Sequence, residues 1–164
     1  MANYIYPAPG VNGVQATLKL KVNSNGADTG LAIPSLQDIT VNAANDTFTW
    51  TQLDVGSKLQ IATTATNSLT MNLVLDQDTF FGTTGSGGTT AAALGIFGAS
   101  SDKTLMKFSL YLGDESDGGA GKYLEGVGYI TGLAPTVSAD EPVWVSPVTI
   151  SITGDYTVAA SGSF

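Results

Sequence analysis

Cysteine, histidine and arginine are all absent from this chain of 164 residues. Without cysteine and histidine there is no thiol nucleophile, no disulfide, no imidazole base and none of the usual zinc ligands. A serine nucleophile would have no histidine base beside it, and no pair of acids can be nominated for glycoside cleavage. We therefore expect that the protein is not an enzyme and that it uses no cofactor and no metal.

Charge is also scarce, because charged residues make up only 12% of the chain. Six lysines stand against 14 acids, which gives a net charge of −8. Binding to nucleic acid or to anionic membranes requires clustered lysine and arginine, so both are excluded as main functions. Repulsion of DNA remains compatible with this charge.

No long hydrophobic run is present, and the first 13 residues have neither a basic nor an apolar leader region. We therefore expect a soluble, complete chain without a secretory leader or a transmembrane helix. Its length is that of one domain with its own hydrophobic core. We place an N-terminal arm at residues 1–13 and a single β-rich domain at residues 14–164.

The arm contains Pro7 and Pro9, which prevent helix and ladder hydrogen bonding. It also contains Tyr4, Ile5 and Tyr6, which are too apolar for a solvent-exposed tail that makes no contacts. Two alternatives stay open: the arm folds back on its own domain, or it packs on a neighbouring subunit.

Strand patterns dominate the rest of the chain. Apolar and polar residues alternate at residues 17–22, and Phe48 and Trp50 share one face of a strand at residues 47–53. Three further strands are predicted in close succession, at residues 123–132, 143–145 and 148–154. The pattern predicts a mainly β fold, a β-sandwich or barrel, with a long hairpin and an extended N-terminal arm.

One short flanking helix is predicted after the glycine-rich residues 85–88. Thr89 or Thr90 can cap its N-terminus, and Leu94 and Phe97 share one face. Gly98 is expected to end it.

Three segments have the outline of chemical motifs without their essential residues. Residues 82–88 lack the lysine of a phosphate loop, and we interpret them as a flexible loop. The acidic residues 114–118 lack the spacing of a calcium loop and fit a solvated hairpin loop. Residues 76–78 form a D-x-D triplet at the end of an apolar strand, with no nucleotide-binding pattern around it.

The order of elements resembles that of bacteriophage tail tube proteins, the major tail proteins. The strand GKYLEGVGYITGL, the acidic linker TVSADEP and the strand VTISITGDYTV resemble the end of that family's domain. Upstream, TFTWTQLDVGSKLQIATTATNSLTMNLVLD resembles its long hairpin, TTAAALGIFG its flanking helix and TLMKFSLYL its next inner strand. The resemblance covers residues 31–158 and consists of strand and glycine patterns.

The resemblance implies a virion protein that assembles in the host cytoplasm into six-subunit rings with a continuous inner β-barrel. Stacked rings would form a hollow tube through which DNA is ejected. A ring of six copies would carry a net charge of about −48, so lumen-facing acids would let DNA slide without sticking. The implied partners are further copies of the chain and the sheath, tape-measure, tail terminator and baseplate proteins.

Under this interpretation, the hairpin between residues 41 and 68 and the N-terminal arm contact other subunits. The predicted subunit-interface residues are Tyr4, Ile5, Tyr6, Phe48, Trp50 and Leu53. Glu125, Asp140 and Glu141 are expected to face DNA, a neighbouring subunit or solvent.

Two other functions stay open. Another β-rich virion component, such as a capsid decoration, fibre or baseplate protein, would share the composition. A carbohydrate-binding module would use Trp50 or Trp144 as a platform for sugar stacking.

Overall fold

A computed structural model describes residues 5–6, 17–33, 36–53, 56–115, 121–140 and 142–162. Strands account for 53% and helices for 12% of these described residues, so the predicted mainly β class is confirmed. The described elements are β1 (Ile5–Tyr6), β2 (Thr17–Val22), β3 (Leu31–Ile33), β4 (Leu36–Asn42), β5 (Asn45–Trp50), β6 (Leu59–Thr64), β7 (Ser68–Val74), α1 (Gln77–Phe81), α2 (Ala91–Ser101), β8 (Met106–Glu115), β9 (Lys122–Leu133) and β10 (Val145–Ala159).

Most strands belong to one antiparallel sheet with the order β3-β2-β8-β9-β10-β7-β4. β3 and β4 lie at opposite ends of this order, although only residues 34 and 35 separate them in the chain. Three residue steps span at most about 11 Å, so the two edges of the sheet must approach each other at this corner. The sheet therefore curls, and it forms a half-barrel, which corresponds to the barrel form of the prediction.

The hydrophobic core lies between one face of this sheet and the two helices. Every second residue of the central strands points into it, as the period of a strand requires. The sheet contributes Leu18, Leu20, Met106, Phe108, Leu110, Leu69, Met71, Leu73, Val148 and Ile150, and the helices contribute Phe80, Leu94 and Ile96. The alternation at residues 17–22 is thus confirmed by the burial of each apolar member.

The described residues form two helices where the sequence predicted one. α1 begins because Asp76, the first acid of the D-x-D triplet, accepts a hydrogen bond from the Thr79 backbone N–H at 3.1 Å. Thr90 caps α2 as expected. α2 does not end at Gly98 but continues to Ser101, with a kink at Gly95, where φ is 64°.

The backbones of the two helices are in close contact at Gly95. A Cβ atom on Gly95 would lie 2.6 Å from the Phe80 carbonyl oxygen and closer still to the Gly82 nitrogen. The loop between the helices is also held: Thr83, Thr84 and Gly85 donate backbone hydrogen bonds to α2 at 3.0–3.2 Å. The loop predicted as flexible is therefore fastened to the helix that follows it.

The C-terminal segment forms two strands rather than the three predicted. Residues 143 and 144 lie outside any strand, and Val145 begins the 15-residue β10. β10 does not stop at Gly154, because a register shift between Thr153 and Thr157 accommodates extra residues and the pairing with β9 resumes. Gly154 makes this bulge possible through its φ of 75°.

A buried carboxylate joins the β2–β3 turn to α2. Asp28 is 5% exposed and accepts hydrogen bonds from the backbone N–H groups of Val22 and Ala91, both at 2.8 Å, and of Gly30 at 3.0 Å. The preceding Asn25–Gly26 turn, predicted from sequence, is held by the Asn25 side chain, which accepts from the Ala27 N–H.

Candidate assembly surfaces

One face of the sheet is not covered by either of the described helices, and we call it the polar face. It carries the residues that alternate with the core positions, and it is rich in hydroxyl groups. Its members are Thr17, Lys19, Lys21, Asp38, Thr40, Asn42, Ser68, Thr70, Asn72, Lys107, Ser109, Tyr111, Tyr123, Glu125, Val127, Tyr129, Thr131, Thr149, Ser151, Thr153 and Thr157.

The charges on the polar face are mixed. Glu125, predicted as a lumen or interface acid, lies here and accepts a hydrogen bond from the Ser109 hydroxyl at 3.1 Å. Asp38 lies on the same face beside Asn72 and was not singled out from the sequence. Among the described residues, three lysines accompany these two acids, so this face does not carry the chain's excess of negative charge.

The other two predicted acids do not join Glu125. Asp140 is exposed in the loop between β9 and β10, away from the paired strands. Glu141 lies outside the described residues. The structure therefore does not bring the three acids together into one cluster.

Among the described strands, β3 and β4 form the two edges of the sheet. Within this part of the chain each pairs on one side only, β3 with β2 and β4 with β7. β4 is the longer, with seven residues, and most of its side chains are exposed. An edge of this kind presents unpaired backbone groups that can accept a strand from another chain.

The predicted long hairpin exists and protrudes from the sheet. β5 and β6 pair with each other as a separate two-stranded sheet, and nearly all their residues are exposed. Phe48 and Trp50 stack with ring centroids 5.9 Å apart, which confirms that they share a face. Phe48 is 61% exposed, Ile61 55%, and Leu53 fully, so we call these residues with Trp50 the hairpin knob.

The N-terminal arm is described only at β1. Ile5 and Tyr6 pair antiparallel with Glu115 and Asp114 of the same chain, which corresponds to the first of the two alternatives for the arm. Tyr4 lies outside the described residues. A role of these three residues at a subunit interface stays a prediction.

A second apolar surface was missed by the sequence analysis. Phe81, Phe97, Val143 and Trp144 line an open groove of about 820 Å³ between the helices and the β9–β10 loop, and each is about half exposed. The rings of Phe80, Phe81 and Phe97 lie 5.0–6.1 Å apart. The Phe80–Phe81 doublet is the sequence feature that could have revealed this surface, because two adjacent residues of a short helix cannot both face the core. We call this surface the aromatic groove.

The acids of the motif-like segments have structural roles among the described residues. No group of three or more His, Cys, Asp or Glu side chains that could hold a metal occurs among them. Asp76 of the D-x-D triplet serves as a helix cap, and Asp102 accepts a hydrogen bond from the Gly87 N–H of the glycine-rich loop at 2.6 Å. None of the described helices has the length and apolar character needed to cross a membrane.

The geometry defines a class of fold: a curled antiparallel sheet with flanking helices and a protruding hairpin. The tail of an empty gene transfer agent particle, solved by helical refinement with C6 symmetry, is similar with a TM-score of 0.60 and 13% identity, over 87% of this chain and 95% of that chain. A sheath/tube terminator of an extracellular contractile injection system has a TM-score of 0.55 and 14% identity, over 94% and 97%.

The tube-terminating cap of the anti-feeding prophage is also similar, with a TM-score of 0.54 and 11% identity, over 98% of this chain and 95% of that chain. No protein-family model and no curated protein matches the sequence. The resemblance to tail tube proteins is thus confirmed at the level of the fold.

Proposed function

We propose that this protein is a structural subunit of a phage-like tail tube, in which copies join into rings and the rings stack. The observation that carries this proposal is the curled sheet with two open edges and one polar face without cover. In a single copy, the backbone N–H and C=O groups at the two edges of this sheet have no strand to pair with. When copies join edge to edge, these groups form hydrogen bonds between neighbouring copies.

In such a ring, β4 of one copy meets the opposite edge of the next copy, so the half-barrels merge into one barrel. The contact is head-to-tail, and a head-to-tail contact closes into a ring when the rotation between copies is suitable. The C6 symmetry of the similar gene transfer agent tail supports a ring of six.

The polar face lines the channel in this arrangement, because the other face is filled by the core and the helices. DNA then slides over a surface that is rich in hydroxyl groups and has nearly balanced charge. The net charge of the chain had suggested a channel surface rich in acids. Its three lysines lie on the adjacent strands β2 and β8, with Lys21 opposite Lys107, and Glu125 on the next strand, β9, offsets part of their charge. Glu125 faces the channel, and Asp140 faces the outside.

The protein is then a virion component that assembles in the host cytoplasm and contacts sheath, tape-measure, terminator and baseplate proteins. Tyr4, Ile5, Tyr6, Phe48, Trp50 and Leu53 contribute to contacts between subunits. A tube terminator is a second candidate, favoured by the near-complete coverage of the terminator and cap structures. A structural role of either kind requires no catalysis.

Electron microscopy of the purified protein, together with sedimentation velocity, tests the proposal. A tube subunit forms hollow stacked rings, and a terminator forms single rings that do not stack. Single copies that persist at high concentration would overturn both candidates.

A further inference from the structure

The aromatic groove brings four large apolar side chains together at the surface. Phe81 is 51% exposed, Phe97 48%, Val143 48% and Trp144 53%. Exposed aromatic side chains that lie together in a groove are typical of an interaction site. The polar lining consists of Asp76 and Gln77, so the groove suits an apolar partner with a cation nearby.

The hairpin knob has the complementary character. Phe48 and Leu53 project from it with little contact to the rest of the chain, and Trp50 stacks beside Phe48. Lys58 is exposed directly before β6. Since the next residue, Leu59, pairs with Trp50, Lys58 lies close to the apolar side chains of the knob. The knob thus combines large apolar side chains with one lysine, and the groove combines aromatic rings with Asp76. Asp78 does not line the groove, but it is exposed in the first turn of α1, directly after the lining residues Asp76 and Gln77.

The knob and the groove lie at opposite ends of the same strand. The hairpin leaves the sheet where β4 and β7 pair Asn42 with Ser68. The groove begins at the other end of β7, where Val74 lines it and the Leu75 N–H donates to the Trp144 carbonyl at 2.8 Å. The seven residues of β7 span about 20 Å, so the knob lies far from the groove of its own chain.

We propose that the aromatic groove receives the hairpin knob of a second copy of this chain, which makes the axial contact between successive rings. Each copy then uses its knob in one direction and its groove in the other, and a head-to-tail contact repeated along an axis produces a filament. This inference rests on the proposed function, because it names the surface through which the rings stack.

Thiol cross-linking tests the contact directly, because the native chain contains no cysteine. Leu53→Cys in the knob is combined with Val143→Cys in the groove, and the assembled protein is treated with a short bis-maleimide. We expect a ladder of dimers, trimers and larger species on a denaturing gel, since each chain carries one knob and one groove. A mixture of the two single variants should give only dimers, each of which contains one Leu53→Cys chain and one Val143→Cys chain.

The matched control combines Leu53→Cys with Tyr129→Cys, an exposed residue on the polar face. It should give no ladder. Charge exchange is a second measurement: Lys58→Glu should reduce stacking of rings, and adding Asp78→Lys should restore it.

Electron microscopy of the same samples separates the two proposals. If the unmodified protein forms no rings or tubes, the proposed function fails. If tubes form but the knob–groove pair gives no more ladder than the control, the groove belongs to another partner and this inference is overturned. If Asp78→Lys fails to restore the stacking that Lys58→Glu reduced, the charge complementarity of the contact is contradicted.

Discussion

Replacing Gly95 by alanine should destabilise the protein strongly, because two costs add at this position. Gly95 has φ of 64° and ψ of −175°, a region that is essentially restricted to glycine and costs a residue with a Cβ about 1–3 kcal/mol. The new methyl group would also lie 2.6 Å from the Phe80 carbonyl oxygen and the Phe81 carbonyl carbon. These are backbone atoms that cannot move aside as a flexible side chain can, and overpacking of this kind costs about 1–3 kcal/mol.

The expected loss in free energy of unfolding for Gly95→Ala is therefore about 2–6 kcal/mol. Gly154→Ala is the matched control, because Gly154 has φ of 75° and no described heavy atom within 4 Å of an added Cβ. It should lose only the backbone cost of about 1–2 kcal/mol.

Urea unfolding followed by circular dichroism, at a concentration below assembly, measures both variants. Equal losses for the two would refute the reasoning, since they would show that the contact between the helices is not tight. Because Phe81 and Phe97 flank this contact, Gly95→Ala should also weaken the stacking of rings, whereas Gly154→Ala should not.

Two further predictions concern the buried carboxylate and the tryptophans. Asp28→Ala leaves the Val22 and Ala91 N–H groups buried without an acceptor and should cost about 3–6 kcal/mol, while Asp28→Asn keeps one oxygen and should cost about 1–2 kcal/mol. The exposed Asp46→Ala should change stability by less than about 0.5 kcal/mol in the same urea assay, and equal effects of the Asp28 and Asp46 variants would contradict the role assigned to Asp28. The chain's two tryptophans, Trp50 and Trp144, lie in the knob and the groove, so tryptophan emission should shift to shorter wavelength on assembly. The shift should persist in both single variants, Trp50→Phe and Trp144→Phe, and emission that stays unchanged in either would contradict burial of that surface.

The strands and the hairpin could be predicted because their patterns are local. The alternation at residues 17–22 and the shared face of Phe48 and Trp50 depend only on the two-residue period of a strand. α1 was missed because five residues are too short to show a helical period, and Asp76 resembled the end of a strand rather than a cap.

The order of the strands and the aromatic groove could not be predicted from local patterns. β3 and β4 are neighbours in the chain and lie at opposite edges of the sheet, which depends on pairings between residues far apart in sequence. Likewise, the apolar character of Phe97 and Trp144 does not show whether they lie in the core or at the surface. Their exposure follows from where the helices and the β9–β10 loop meet.

Cryo-electron microscopy of the assembled protein, at a resolution that separates strands, tests the central claim most directly. We predict six-fold rings in which β4 of each copy is hydrogen-bonded to the sheet of its neighbour, with the polar face toward a hollow channel. Particles in which the sheets of neighbouring copies are not joined, or in which the helices line the channel, would contradict it.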